Sequence, residues 1–150
     1  MQKFVAIILP FLLWVAAAEA AEGIVKVKSA HTVQETANRL ETLLSEKGMK
    51  VFARMNHAAG AETIGKTLRP TELLLFGNPK MGTPLMQCAQ SIGIDLPQKM
   101  LVWEDDKGDV WLAYNDPAYL AARHKIVACA TIVPKIQQGL ENFAIAATKP

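Results

Sequence analysis

His57, Arg69, Asn78 and Lys80 are the residues of this chain whose types and surroundings suit a site. Imidazole exchanges a proton near neutral pH or ligates a metal. Asn78 and Lys80 flank Pro79 in Leu73-Leu-Leu-Phe-Gly-Asn-Pro-Lys80, where an apolar run meets residues suited to a sharp bend. A turn of this kind sets polar groups beside a buried element, and Lys80, like Arg69, suits an anion near a helix start. Each has a plainer role: a hydrogen-bonded histidine, an asparagine satisfying its own turn, two solvated cations. Met49, Met55, Met81, Met86 and Met100 with His57 offer soft donors for Cu(I). No CxxC, close histidine pair or carboxylate cluster gives ligand spacing, and methionine commonly fills a core, so no metal site is assigned. Phosphate-loop and dinucleotide signatures are absent. No serine lies in a nucleophile elbow, so no catalytic triad is expected.

The elements that must position these residues follow from periodicity. Val25 and Val27 alternate with Lys26 and Lys28 in a first strand. Thr32 and Glu35 have capping-box spacing, Val33, Ala37, Leu40 and Leu44 recur on one helical face, and Gly48 ends that helix. Val51, Ala53 and Met55 predict a second strand that delivers His57 at its C-terminal end on the face of Val51. Residues 58–68 read as a loop with at most a short helix, followed by a strand from Glu72 to Phe76. Thr83 and Pro84 predict the start of a helix with Leu85, Cys88, Ala89 and Ile92 on one face and Gly93 as its stop. Met100–Trp103 and Val110–Tyr114 flank a charged, glycine-containing reversal and form a hairpin. Asp116-Pro117 opens a helical C-terminus from Leu120 to Thr148, broken near Pro134. If the strands ending at His57 and Phe76 are neighbours, His57, Asn78 and Lys80 surround one cavity.

Composition narrows the class. Lys3, the apolar stretch from Phe4 to Ala18 and Ala18-Glu19-Ala20 have the order of a secretory signal, predicting export to the periplasm or beyond with cleavage after Ala20. Residues 21–150 then suffice for a single globular domain. No later segment is long and apolar enough to span a bilayer, so no membrane partner is expected after signal removal. Sixteen Lys and Arg against fourteen Asp and Glu leave a net charge of +2. The basic residues are scattered, which argues against nucleic acid. Cys88 and Cys129 are either a disulfide formed in an oxidising compartment or, for Cys88, a small buried apolar residue on a helix face.

His57-Ala58, Arg69-Pro70-Thr71, Leu75-Phe76-Gly77-Asn78-Pro79-Lys80, Asp95-Leu96-Pro97 and Tyr114-Asn115-Asp116-Pro117 occur in an order and spacing that resembles the domain of unknown function 302 family. The resemblance covers nearly all of residues 21–150. It implies an α+β domain, an antiparallel sheet of about five strands covered by helices with a helical C-terminus, and a homodimer, with no established reaction or cofactor. The apolar terminal-helix face with Ile136, Leu140 and Phe143 is then core or interface. Lys125 departs from the pattern, because relatives place glycine after the Arg123-His124 pair, and a different local turn is expected there. The function expected is binding of a small molecule or partner near His57, Arg69, Asn78 and Lys80. The alternatives are an enzyme using His57 as acid or base and a periplasmic copper or haem handler.

Overall fold

The computed structural model describes residues 23–150, so the expected signal sequence and the expected cleavage after Ala20 lie outside the described residues. Strand β1 (Ile24–Lys28) leads into helix α1 (Val33–Glu46). The Thr32 hydroxyl accepts from the Glu35 N–H at 3.2 Å and the Glu35 carboxylate accepts from the Thr32 N–H at 3.1 Å, closing the expected capping box. At the other end Gly48 takes φ 70°, its N–H donates to Ser45 O, and the Met49 N–H donates to Leu44 O. This Schellman pattern satisfies the last free carbonyls of the helix.

Strands β2 (Lys50–Asn56), β3 (Thr71–Gly77), β4 (Gln98–Glu104) and β5 (Val110–Asn115) pair antiparallel with their sequence neighbours, and β1 returns to pair with β5, giving the order β1-β5-β4-β3-β2. Leu74, Phe76, Met100, Val102, Leu112 and Tyr114 point to one face, buried beneath α1 and the terminal helix α5 (Val133–Thr148). Phe76 meets Phe143 edge to face at 6.3 Å between centroids. Ile136 and Leu140 are buried in this core, so they belong to the interior of one chain. The architecture is the expected α+β class.

Three local expectations are corrected. First, a bulge between Val51 and Ala53 breaks the alternation of β2. Val51 pairs with inward-facing Phe76, while Ala53 and Met55 pair with Leu75 and Leu73 on the opposite face. Arg54 consequently turns inward, donating from Nε to Glu72 at 2.6 Å and from one terminal nitrogen to Asn38 and Glu41. The bond to Glu72, and after it the bond to Glu41, raises the guanidinium pKa and outweighs its partial burial. His57 does not share the face of Val51; it is the first residue of the short helix α2 (His57–Glu62), capped by Asn56.

Second, helix α3 runs from Pro79 to Cys88, five residues ahead of the expected start. Asn78 is its N-cap, its side-chain oxygen accepting from the Lys80 N–H at 2.9 Å, and Pro79 fills the first position, where no donor is needed. Thr83 and Pro84 fall inside the helix. Ile92 and Gly93 belong to a following 3-10 turn, Gln90–Ile94. Third, the C-terminal helical stretch is divided well before Pro134. Helix α4 (Pro117–Arg123) ends at His124, and Pro134 sits in the first turn of α5. The end of α4 repeats the Schellman pattern of α1: the Lys125 N–H donates to Ala122 O at 3.1 Å and the Ile126 N–H to Ala121 O at 2.9 Å. Lys125 holds the left-handed position at φ 54°. The turn is therefore the one that glycine would make.

Candidate functional site

A cavity of about 710 Å³ lies between the sheet end that carries Phe52, Leu75 and Gly77, helix α3 and helix α5. Phe52, Met81, Met86, Leu96 and Phe143 are among the residues of its apolar wall. Gly77, Gly82, Gly93 and Gly139 keep the wall low. A Cβ on Gly77 would come 3.3 Å from the Phe52 ring, whereas a Cβ on Gly139 would enter open space. Asn78, Thr83, Gln98 and Lys135 are the polar residues of the lining. Such a composition suits a mainly apolar small molecule oriented by one or two polar contacts.

Of the four candidate site residues, three of them (His57, Asn78 and Lys80) expected around one cavity, only Asn78 lines this one. Its carbonyl oxygen is committed to the helix cap, which leaves the amide as a donor. Lys80 is exposed in the first turn of α3 and does not line the cavity. Arg69 is exposed near the other end of β3, its Nε donating to Glu104 O at 3.2 Å. His57 is separated for a topological reason. β2 and β3 are neighbours but antiparallel, with Asn56 opposite Glu72 and Lys50 opposite Gly77. His57 and Asn78 thus leave the sheet at opposite ends, a strand length of about 20 Å apart. The shared site of His57, Asn78 and Lys80 is not formed.

The methionines divide similarly. Met49, Met81 and Met86 line the cavity, Met100 is in the core and Met55 is on the outer sheet face. Among the described residues no three His, Cys, Asp or Glu side chains are grouped to hold a metal ion. The structure pairs Cys88, the last residue of α3, with Cys129, which directly precedes the 3-10 turn Ala130–Ile132 and α5; their Cα atoms are 6.2 Å apart. That separation is ordinary for a disulfide. The bridge joins two walls of the cavity.

A second constellation was not foreseen. Ser91, in the 3-10 turn, lies with Oγ 2.9 Å from Nδ1 of His124, and Nε2 of His124 lies 2.6 Å from a carboxylate oxygen of Asp95. Arg123 approaches the other Asp95 oxygen at 3.3 Å, and Lys99 donates to the Asp95 backbone carbonyl at 2.7 Å. Asp95 and the Arg123-His124 pair both belong to recurring segments of the sequence pattern. Their contact spans 29 residues, which no local spacing rule reveals.

An open antiparallel sheet whose first strand returns to pair with the last, packed by helices and carrying an apolar cavity at one end, defines an α+β domain. The chain belongs to the family described as Domain of unknown function DUF302, whose profile matches residues 25–143. A crystal structure of an uncharacterised conserved DUF302 protein from Bacillus stearothermophilus has the same fold, with a TM-score of 0.76 and 21% identity over 86% of this chain and all of that one. Two Brucella proteins, from B. suis biovar 1 (strain 1330) and B. abortus biovar 1 (strain 9-941), each named fluoride-specific ion channel FluC 1, are 52% identical over 104 residues. The match takes in 69% of this chain but 41% and 38% of those relatives, so the chain spans about two fifths of their length. No helix among the described residues is long and apolar enough to cross a membrane.

Proposed function

We propose that the chain is an exported domain that binds a small, largely apolar molecule in the cavity between α3 and α5. The observation that carries this reading is the cavity itself: about 710 Å³, walled by apolar side chains and four glycines, with Asn78 and Lys135 at hand for a polar group. Small-molecule sites commonly have this size and lining. Export is supported by the order of residues 1–20, and a Cys88–Cys129 bridge suits an oxidising compartment. The recurrence of this segment within longer proteins named fluoride-specific ion channels supports a role beside membrane transport. The homodimer implied by the family resemblance remains part of the proposal. With Ile136 and Leu140 in the core, it uses another surface.

The test is native mass spectrometry of protein purified from its own compartment, combined with titration of the dye 1-anilinonaphthalene-8-sulfonate. Wild-type protein is expected to carry an organic ligand or to bind the dye. Gly139→Trp, which fills the open space, should abolish either. Dye binding equal in both proteins would refute the cavity assignment. A copper or haem handler is the second reading, favoured by the thioethers of Met49, Met81 and Met86 at the cavity; retained metal or porphyrin mass would establish it. Intact mass beginning at Ala21 checks export. Light scattering that gives only monomer mass across a dilution series would remove the dimer.

A further inference from the structure

The cluster of Ser91, His124 and Asp95 has the connectivity of a proton relay. The His124 side chain is 7% exposed and that of Asp95 13%, while Ser91 is exposed to solvent. An ionised carboxylate only accepts hydrogen bonds, so Nε2 of His124 carries the proton that meets Asp95. A neutral ring fixed in that tautomer presents a lone pair at Nδ1, and the Ser91 hydroxyl, 2.9 Å away, donates to it. The order is hydroxyl, base, orienting carboxylate, the logic by which serine nucleophiles are activated. The ring nitrogens are used in the reverse sense from chymotrypsin-like triads. The chemistry needs one lone pair toward the serine and one N–H toward the carboxylate, and the neutral tautomer protonated at Nε2 supplies both at these distances. Arg123 and Lys99 hold Asp95 from two further directions.

We propose that Ser91 is an activated nucleophile that reacts with carboxylic esters, with His124 as its base and Asp95 as the positioning residue of the imidazole. Ser91 Oγ attacks the ester carbonyl carbon and its proton passes to Nδ1 of His124. The carbon–oxygen bond to the alcohol breaks, the leaving alkoxide takes that proton, and the acyl group remains on Ser91. Water then attacks the acyl carbon, loses a proton to Nδ1, and releases the carboxylic acid as Ser91 regains its hydrogen. Ser91, Asp95 and His124 are not part of the cavity lining, but their chain neighbours Gly93 and Leu96 are, and a preference for esters with an apolar acyl group is included in the proposal on that ground. That acyl preference rests on the binding reading above; the reactivity of Ser91 does not.

A cluster that merely clasps the 3-10 turn to the end of α4 would contribute stability and no serine reactivity. The full chain is therefore treated with a fluorophosphonate, in which the Ser91 oxygen forms a bond to phosphorus as fluoride leaves and the proton passes to His124. Intact mass and peptide mapping follow, with hydrolysis of p-nitrophenyl butyrate measured in parallel. One adduct on the peptide containing Ser91 is expected, absent from Ser91→Ala, whose exposed site should leave thermal unfolding unchanged. His124→Gln should label about 100-fold more slowly or less, the size of a general-base contribution. Labelling of Asp95→Asn should be slower, with a changed pH profile. No adduct on wild-type protein under conditions that label a serine esterase completely, an adduct confined to other residues, or equal rates in His124→Gln would overturn the proposal. Gly139→Trp separates the two readings: if it loses dye binding yet Ser91 still labels, the nucleophile stands and the cavity is a separate site. Persistent dye binding in a protein without Ser91 reactivity leaves the cavity reading alone.

Discussion

Replacing Lys125 by glycine is expected to stabilise the domain. Lys125 sits at φ 54°, in the left-handed region, at the turn that ends α4. A side chain costs about 1–2 kcal/mol in that conformation because Cβ crowds the following carbonyl. Glycine removes this crowding but gains freedom in the unfolded chain, which takes back about 0.5–1 kcal/mol. The net gain is about 0.5–1 kcal/mol, provided that the bonds from the Lys125 and Ile126 N–H groups to Ala122 and Ala121 survive. For a domain of this size that raises Tm by about 2–5 °C. Calorimetric unfolding of wild type, Lys125→Gly and Lys125→Ala is the assay. Alanine keeps the Cβ and the strain, so it should unfold near wild type. A glycine variant that unfolds at or below the alanine variant would refute the reasoning, because relief of the left-handed strain is the only term that separates them in this direction.

Further outcomes follow from other features. Replacing both Cys88 and Cys129 with serine opens a loop of 41-residue separation and should cost about 4 kcal/mol in the chain-entropy model; chemical unfolding of the variant checks the loss, and two reactive thiols in unreduced, denatured wild type would deny the bridge. Gly139→Ala should stabilise α5 by about 1 kcal/mol, since alanine is the better helix former and its Cβ meets open space; calorimetry decides the sign. Acid should weaken the fold. The Trp111 indole, then backbone N–H groups, hold the Asp105 carboxyl below its ordinary pKa, and the Thr32 N–H does the same for Glu35. A carboxyl depressed in the folded state contributes stability above its unfolded pKa and loses it as pH falls through the folded value. Denaturant midpoints should therefore fall below the ordinary carboxylate range, and Trp111→Phe should flatten that fall.

Much of the fold was legible because its signals are local. Thr32 and Glu35 mark a helix start by spacing alone, Gly48 marks its end, and the charged reversal around Gly108 separates β4 from β5. The errors arose where two local rules competed or where position depended on pairing. Asn78-Pro79 and Thr83-Pro84 are both helix starts by composition. The first prevails because Asn78 directly follows β3 and its oxygen reaches the Lys80 N–H. The bulge in β2 inserts one residue and reverses every side chain beyond it, which the pattern at Val51, Ala53 and Met55 does not reveal. The candidate site was less legible still. Asn78 does line the cavity, but joining it to His57 required strand direction, and an antiparallel pair carries consecutive strand ends apart. The apolar wall arises from residues of distant segments, from Met49 to Phe143, each ordinary in its own sequence context.

Helix α3 is tethered at both ends. Asn78 caps it where it leaves the sheet, and the bridge from Cys88 ties its last residue to the chain that enters α5. A wall held in this way keeps its place whether the space beside it is full or empty. A guest that enters such a space meets a receptor already in the bound shape, so little of its binding free energy is lost to ordering the host. For a guest bound as proposed, reduction of the bridge would free one end of α3 and restore that entropic cost.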